Sequence, residues 1–172
     1  MIGTADLTLA DRVLAACRDR GMTLATAESC TGGLVAAALT AIAGSSDVVD
    51  RGFVTYSNMA KTDLLGVPAP LIAEKGAVSA EVAVAMAEGA LVRAGVDLAV
   101  AITGIAGPGG ATPGKPVGLV HFGLAACGQP TFTEQHVFTG DRTSVRAQAL
   151  RRALALLLAG AETAETASHP AG

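Results

Sequence analysis

The sequence predicts a layered α/β/α fold, with a largely parallel sheet that has an antiparallel hairpin at one edge. Helical patterns alternate with short apolar runs from residue 5 to residue 158. The run from Val96 to Thr103 is almost continuously apolar, which is typical of a strand buried on both faces. Two strand-like runs late in the chain are separated by Gly128-Gln129-Pro130, as expected of a hairpin.

The first half of the chain begins with an amphipathic helix. Apolar residues recur at helical spacing over residues 5–20, and Gly21 ends the pattern. Strand-favouring and helix-favouring segments then alternate. We expect a strand at Thr23–Ala27, a helix at Thr31–Ile42, a turn at Gly44–Asp47, a strand at Gly52–Tyr56, a helix at Asn58–Leu65 and a short helix at Pro70–Glu74.

The second half begins with a clear helix start. Ser79 is a favourable N-cap and Glu81 places a carboxylate in the first turn, so a helix is expected to continue to Ala94. The buried strand, the hairpin and a last helix follow. We expect hairpin strands at Val117–Cys127 and Thr131–Phe138, a helix at Arg142–Leu158, a single domain over residues 1–160 and a disordered tail over residues 161–172.

Composition excludes several classes of protein. The 172 residues are 51% hydrophobic and 3% aromatic, so one domain with an Ala, Val and Leu core is expected. No apolar run is long enough to cross a bilayer and no secretory signal is visible, which predicts a cytoplasmic protein without membrane contact. A net charge of −3 argues against nucleic acid as a partner. Three cysteines without CxxC spacing indicate reduced thiols and no zinc site.

A strand-to-helix turn at residues 23–33 has the features of an anion site. Unpaired N–H groups and the helix dipole at a helix start attract anions, and Ser29 and Thr31 can add hydroxyl donors. Gly32 and Gly33 would let a ligand approach the backbone. The same residues equally fit an ordinary helix N-cap. Neither GK[ST] nor GxGxxG is present, so neither ATP nor a dinucleotide is indicated.

Three loops follow predicted strands, at residues 29–33, 57–58 and 103–110. In open α/β sheets, ligands bind beyond the carboxyl ends of the strands. We therefore expect these loops to form one ligand site.

The sequence favours a lysine over a histidine as a catalytic base. His121 and His136 lie on hairpin strands and His169 lies in the tail. A lysine acts as a base only if burial or a nearby cation lowers its pKa. Lys61 follows an apolar strand beside the expected site, although an exposed helix lysine is the alternative; Tyr56 could orient it or be a core aromatic. The candidate nucleophiles are Ser29, Cys30, Ser45, Ser46, Ser57 and Thr103.

Arg142 and Arg146 lie four residues apart at the start of the last predicted helix. Positive side chains there oppose the preference set by the helix dipole, which suggests an anionic partner. A salt bridge to Asp141 or solvent exposure would explain them equally well.

Five motifs together resemble the CinA C-terminal-domain family, the nicotinamide-nucleotide amidohydrolases or NMN deamidases. The resemblance runs from about Leu7 to Leu158 and is to the stand-alone members. The motifs are AESCTGG (27–33), AGSSDVVDRGFVTYSNMAK (43–61), GAVS (76–79), TGIAGPGG (103–110) and KPVGLVHF (115–122).

The resemblance implies hydrolysis of the carboxamide of nicotinamide mononucleotide (NMN) to nicotinate mononucleotide and ammonia, in pyridine-nucleotide salvage. It implies a Ser/Lys mechanism with no metal and no cofactor. We carry the base over to Lys61, with Tyr56 as its neighbour. Ser46 is our preferred nucleophile and Ser29 the alternative, because Ser29 lies where the anion site is expected.

In the expected mechanism, the substrate phosphate rests on Thr31, Gly32 and Gly33 with the help of Arg142 or Arg146. The loop that begins at Thr103 and Gly104 supplies further substrate contacts and oxyanion donors. Two other hypotheses remain: a non-catalytic nucleotide-binding module that acts through a protein partner, and a cysteine hydrolase that uses Cys30. An Ala-rich surface helix could serve an interface in a homo-oligomer.

Overall fold

The computed structural model describes residues 2–163, which form one five-stranded sheet flanked by helices. A 3-10 helix at Ser45–Asp47 occupies the predicted turn. The other elements are α1 (Thr4–Asp19), β1 (Leu24–Glu28), α2 (Leu34–Thr40), β2 (Val49–Val54), α3 (Asn58–Leu65), α4 (Ala69–Lys75), α5 (Ala80–Ala94), β3 (Leu98–Gly104), β4 (Leu119–Ala126), β5 (Phe132–Val137) and α6 (Arg142–Thr163).

The strand order is β2-β1-β3-β4-β5. The first three strands of that order are parallel, while β4 pairs antiparallel with both β3 and β5. One face of the sheet packs against α1, α2 and α6, and the other against α3, α4 and α5. The predicted fold class, an α/β/α sheet with an antiparallel hairpin at one edge, is therefore confirmed.

The central strand β3 explains the long apolar run in the sequence. Leu98, Val100 and Ile102 belong to the core below α1 and α6, whereas Ala99 and Ala101 belong to the core below α5. Both faces of this strand are buried, so alternation with polar residues is absent. Small residues on the second face let α5 lie very close to the sheet.

Element boundaries differ from the prediction where glycines and strand ends set them. Helix α2 begins at Leu34 rather than Thr31, because Gly32 and Gly33 have φ of 60° and 96°, which favours glycine and interrupts a helix. Strand β2 ends at Val54, so Tyr56 lies in the loop before α3. Helix α6 continues through Thr163, three residues into the predicted tail, and the rest of that tail prediction lies outside the described residues.

Within residues 2–163, no helix combines the length and the apolar character that crossing a membrane requires.

Candidate active site

A cavity of about 260 Å³ opens at the edge of the sheet where β1, β2 and β3 end. The loops after these three strands all contribute to its wall, together with the segment before α5 and the start of α6. The loops that follow β1, β2 and β3 therefore line one cavity, as the sequence analysis expected. Its polar lining comprises the side chains of Ser29, Cys30, Tyr56, Asn58, Lys61, Thr103 and Arg142.

Lys61 is the most unusual group in this cavity, because its side chain is only 1% exposed. Its Nζ lies 2.7 Å from the carbonyl oxygen of Thr55 and 3.0 Å from Oγ of Ser29. In the described part of the chain it forms no ion pair with a carboxylate. Burial lowers the pKa of this amine, since the protein interior disfavours its charged form.

The local sequence explains how Lys61 reaches this position. Strand β2 ends at Val54, and Ser57 then caps α3 by accepting a hydrogen bond from the Ala60 N–H at 3.0 Å. The first turn of α3 brings Lys61 back towards Thr55, which lies just past the end of the strand. The amine of Lys61 therefore lies at the carboxyl edge of the sheet, because the lysine comes one helical turn after the Ser57 cap that follows β2.

Ser29 follows β1 directly and is held through its backbone. Its N–H donates to the Ile102 carbonyl at 2.9 Å, and its own carbonyl accepts from the Gly32 N–H at 3.0 Å. The side chain lines the cavity and contacts Lys61 Nζ. Ser29 and Lys61 are therefore arranged as a nucleophile and a base would be.

Ser46, the preferred nucleophile of the sequence analysis, does not lie in this cavity. It is exposed on the 3-10 helix before β2, whereas Lys61 follows the opposite end of that strand. At about 3.3 Å per residue, the strand separates the two ends by roughly 20 Å. We therefore correct the expected pairing, because Ser29 and not Ser46 lies beside Lys61.

The start of α2 already holds an anion, the carboxylate of Glu28. This fully buried side chain accepts hydrogen bonds from the backbone N–H groups of Gly33 at 3.0 Å, Val35 at 3.1 Å and Ala36 at 2.9 Å. The predicted substrate phosphate on Thr31, Gly32 and Gly33 is therefore corrected. The Gly33 N–H is occupied by Glu28, and the Gly32 N–H by the Ser29 carbonyl. Thr31, Gly32 and Gly33 lie outside the cavity wall.

Sequence reasoning missed the role of Glu28, although a signal was present. The residue lies five positions before Gly33, close enough along the chain for its carboxylate to reach the first helical N–H groups. A glutamate followed by two glycines and a helix indicates an internal cap as readily as an external anion site.

The two arginines of α6 have different partners. Arg142 lines the cavity and donates to the Gly107 carbonyl at 2.9 Å and to the Tyr56 hydroxyl oxygen at 2.8 Å. Tyr56, expected as the neighbour of Lys61, therefore binds Arg142 and is 60% exposed. Arg146 lies outside the cavity wall and binds the carbonyls of Cys30 and Thr31.

Thr103 and Gly104 form the opposite wall. Thr103 is buried and donates its hydroxyl to the Ala77 carbonyl at 2.7 Å. A Cβ at residue 104 would lie 2.7 Å from Val120 Cγ2 and 2.8 Å from the Leu119 carbonyl, so the backbone here packs too tightly for a side chain. Beyond Gly104, the N–H groups of Ala106 and Gly107 have no hydrogen-bond partner among residues 2–163.

Other candidate groups fit catalysis less well. Burial raises the pKa of the Cys30 thiol to about 11, so the thiol is protonated near neutral pH. His121 and His136 lie outside the cavity wall, and His169 lies outside the described residues. Within residues 2–163, no group of three or more His, Cys, Asp or Glu side chains could hold a metal ion.

Comparison with known sequences identifies relatives over most of the chain. A model of the CinA C-terminal domain matches residues 6–160. A CinA-like protein from Citrifermentans bemidjiense is 60% identical over 136 residues, which is 79% of this chain and 33% of that protein. A putative competence-damage inducible protein from Symbiobacterium thermophilum is 52% identical over 165 residues, covering 91% of this chain and 39% of that protein. The chain thus spans about a third of the length of these curated relatives.

Solved structures agree in fold. The competence/damage inducible protein CihA from Agrobacterium tumefaciens has a TM-score of 0.90 and 48% identity, covering 92% of this chain and 97% of that chain. A CinA superfamily protein from Klebsiella pneumoniae has a TM-score of 0.87 and 44% identity, with 91% and 97% covered. The chain therefore belongs to the CinA C-terminal-domain family.

Proposed function

We propose that this protein hydrolyses the carboxamide of NMN, with Ser29 as the nucleophile and Lys61 as the general base. In this proposal the products are nicotinate mononucleotide and ammonia, and the reaction serves pyridine-nucleotide salvage in the cytoplasm. The observation that carries it is the 3.0 Å contact between the Ser29 hydroxyl and a buried lysine that has no carboxylate partner among residues 2–163.

The environment of Lys61 supports its role as a base. A protonated amine has no lone pair, so it cannot accept the hydroxyl proton. Burial favours the neutral form, which can donate one N–H to the Thr55 carbonyl and receive the Ser29 proton at its lone pair. The two neighbours of Nζ therefore match the needs of a neutral amine.

The reaction would proceed by acyl transfer in two steps. Lys61 takes the Ser29 proton while Oγ attacks the carboxamide carbon, and the oxyanion is stabilised by backbone N–H groups such as those of Ala106 and Gly107. Protonated Lys61 then gives its proton to the departing nitrogen, and ammonia leaves. Lys61 next takes a proton from water, whose oxygen attacks the acyl ester. The ester bond to Oγ of Ser29 then breaks, Lys61 returns the proton to Oγ, and nicotinate mononucleotide leaves.

The charges around the cavity suit a substrate with a phosphate. Among the residues that the structure describes, no Asp or Glu lines the wall, whereas Arg142 does, in a chain with a net charge of −3. Because Glu28 fills the start of α2, we move the phosphate site to Arg142 and the segment 109–110 of the glycine-rich loop. An arginine and exposed backbone N–H groups are a common combination for binding phosphate.

The test is whether the protein converts NMN to nicotinate mononucleotide and ammonia. Chromatography measures the nucleotide product, and an ammonia assay measures the second product. Ser29→Ala should lower kcat by on the order of a thousandfold or more, while NMN binding measured by calorimetry stays within a few fold. Ser46→Ala is the matched control, because it removes an exposed hydroxyl outside the cavity, and it should keep near-normal kcat.

Two outcomes would contradict the proposal. NMN binding without ammonia release by the unmodified protein would support the non-catalytic module instead. Normal turnover by Ser29→Ala together with loss of turnover in Ser46→Ala would overturn the assignment of the nucleophile.

A further inference from the structure

The guanidinium of Arg146 binds backbone carbonyls rather than a carboxylate. Its Nε donates to the Cys30 carbonyl at 3.1 Å and its Nη2 donates to the Thr31 carbonyl at 2.9 Å. Among residues 2–163 this arginine forms no ion pair. Arg146 is thus a half-buried cation whose partners among residues 2–163 are these two carbonyls. Its guanidinium joins helix α6 to the backbone of the loop that follows Ser29.

These two bonds complete the fixation of the backbone around Ser29. On its amino side, the Ser29 N–H is tied to the Ile102 carbonyl. On its carboxyl side, the Ser29 carbonyl is tied to the Gly32 N–H, and Arg146 holds the next two carbonyls. Because each peptide group is planar, fixing its carbonyl also fixes its N–H and the neighbouring Cα positions.

We propose that Arg146 is a positioning residue, which holds the loop 29–33 against α6 so that the Ser29 hydroxyl stays in contact with Lys61. This inference rests on the proposed role of Ser29 and goes beyond it, because Arg146 lies outside the cavity wall. Its action is on kcat and not on substrate binding. The inference replaces the sequence-based expectation that this arginine contacts the phosphate.

The position and the chemistry of Arg146 both suit that task. Residues Val145 and Ala149 bury the same part of α6 in the core, so the guanidinium projects from a fixed support. An arginine presents a planar set of donors and can bind two neighbouring carbonyls at once, whereas lysine offers a single point charge. Losing the contact would leave loop 29–33 free to shift, and a displacement of about 1 Å can cost roughly a hundredfold in rate.

The experiment compares Arg146→Met, Arg146→Lys and Arg146→Ala with the unmodified protein, using NMN hydrolysis. We expect kcat to fall by about 10- to 100-fold in Arg146→Met and less in Arg146→Lys, with KM within about threefold. Added guanidinium chloride at millimolar concentration should restore part of kcat in Arg146→Ala in a saturable way. Arg12→Ala, which removes an exposed arginine of α1, is the matched control and should show neither effect.

Several results would overturn the inference. A rise in KM with unchanged kcat would mean that Arg146 contacts the substrate. A normal kcat in Arg146→Met would mean that the position of the Ser29 hydroxyl does not depend on Arg146. If Arg146→Met does not fold, as judged by circular dichroism, then Arg146→Lys and guanidinium rescue decide the question.

Failure of the proposed function gives a different result from failure of this inference. If the unmodified protein releases no ammonia, the rate at which a fluorophosphonate labels Ser29 replaces kcat as the readout. Slower labelling in Arg146→Met, with recovery on adding guanidinium to Arg146→Ala, would support the positioning role. Equal labelling in all variants would refute it.

Discussion

Replacing Lys61 by Met should change how the stability of the protein depends on pH. Burial lowers the pKa of Lys61 from its ordinary value of 10.5, so between the two values the unfolded chain carries one more proton at this site than the folded chain. In that window, raising the pH stabilises the native protein by about 1.4 kcal/mol per pH unit relative to Lys61→Met. Below the folded pKa, both states are protonated and the cost of burying the ammonium is fully present.

The slope is a better test than the stability at a single pH. Lys61→Met relieves the cost of burying the amine, but it leaves the Thr55 carbonyl without its 2.7 Å partner, which costs about 1–3 kcal/mol. The lost hydrogen bond is nearly independent of pH, so it shifts the curve without changing its slope, which is set by the titration of Lys61. Urea unfolding followed by circular dichroism at pH 7, 8, 9 and 10 measures the free energy of unfolding of each protein.

The control is Lys75→Met, which removes an exposed lysine paired with Glu74. Its stability relative to the unmodified protein should be flat over pH 7 to 9, since the neighbouring carboxylates raise its pKa. Parallel curves for Lys61→Met and the unmodified protein throughout pH 7 to 10 would refute the idea that this amine is neutral in the folded state.

Three other changes test the remaining features of the site. Glu28→Gln should lower the free energy of unfolding in urea by about 1–3 kcal/mol, because an amide cannot replace a carboxylate that accepts three N–H groups; an unchanged midpoint would contradict this. Gly104→Ala should lower NMN turnover at least tenfold, because the new methyl group lies within 3 Å of Val120 and Leu119; normal kinetics would show that the wall yields. At pH 7.5, iodoacetamide should label the exposed Cys127 well before Cys30, as peptide mass spectrometry can measure, because burial raises the pKa of the Cys30 thiol to about 11; rapid labelling of Cys30 would revive the cysteine mechanism.

The sequence contained enough information to exclude Ser46. Parallel strands have their carboxyl ends at one edge of a sheet, so residues that follow strands meet and residues that precede them do not. Ser29 follows the first predicted strand, whereas Ser46 precedes the second. Applied consistently, the rule that predicted the site would also have favoured Ser29 over Ser46 as the partner of Lys61.

The contacts of Arg146 could not be predicted in this way. Its partners are the carbonyls of Cys30 and Thr31, and backbone carbonyls leave no mark in a sequence. The opposition to the helix dipole predicted an anionic partner for both arginines, whereas their partners among residues 2–163 are carbonyls and a hydroxyl. The dipole argument could not distinguish Arg142, at the cavity, from Arg146 one turn later, because that depends on how α6 packs on β3 and β4.

The internal cap formed by Glu28 also bears on the base. A carboxylate beside Lys61 would hold the amine in its protonated form and so remove its lone pair. Glu28 is buried at the last position of β1, directly before Ser29, and its oxygens accept hydrogen bonds from three backbone N–H groups at the start of α2. In the described part of the chain the Glu28 carboxylate thus has no cation partner, and Lys61 Nζ has a hydroxyl and a carbonyl as its hydrogen-bond partners. Among residues 2–163, each of these two buried groups is therefore held by uncharged partners, and the lysine proposed as the base forms no ion pair.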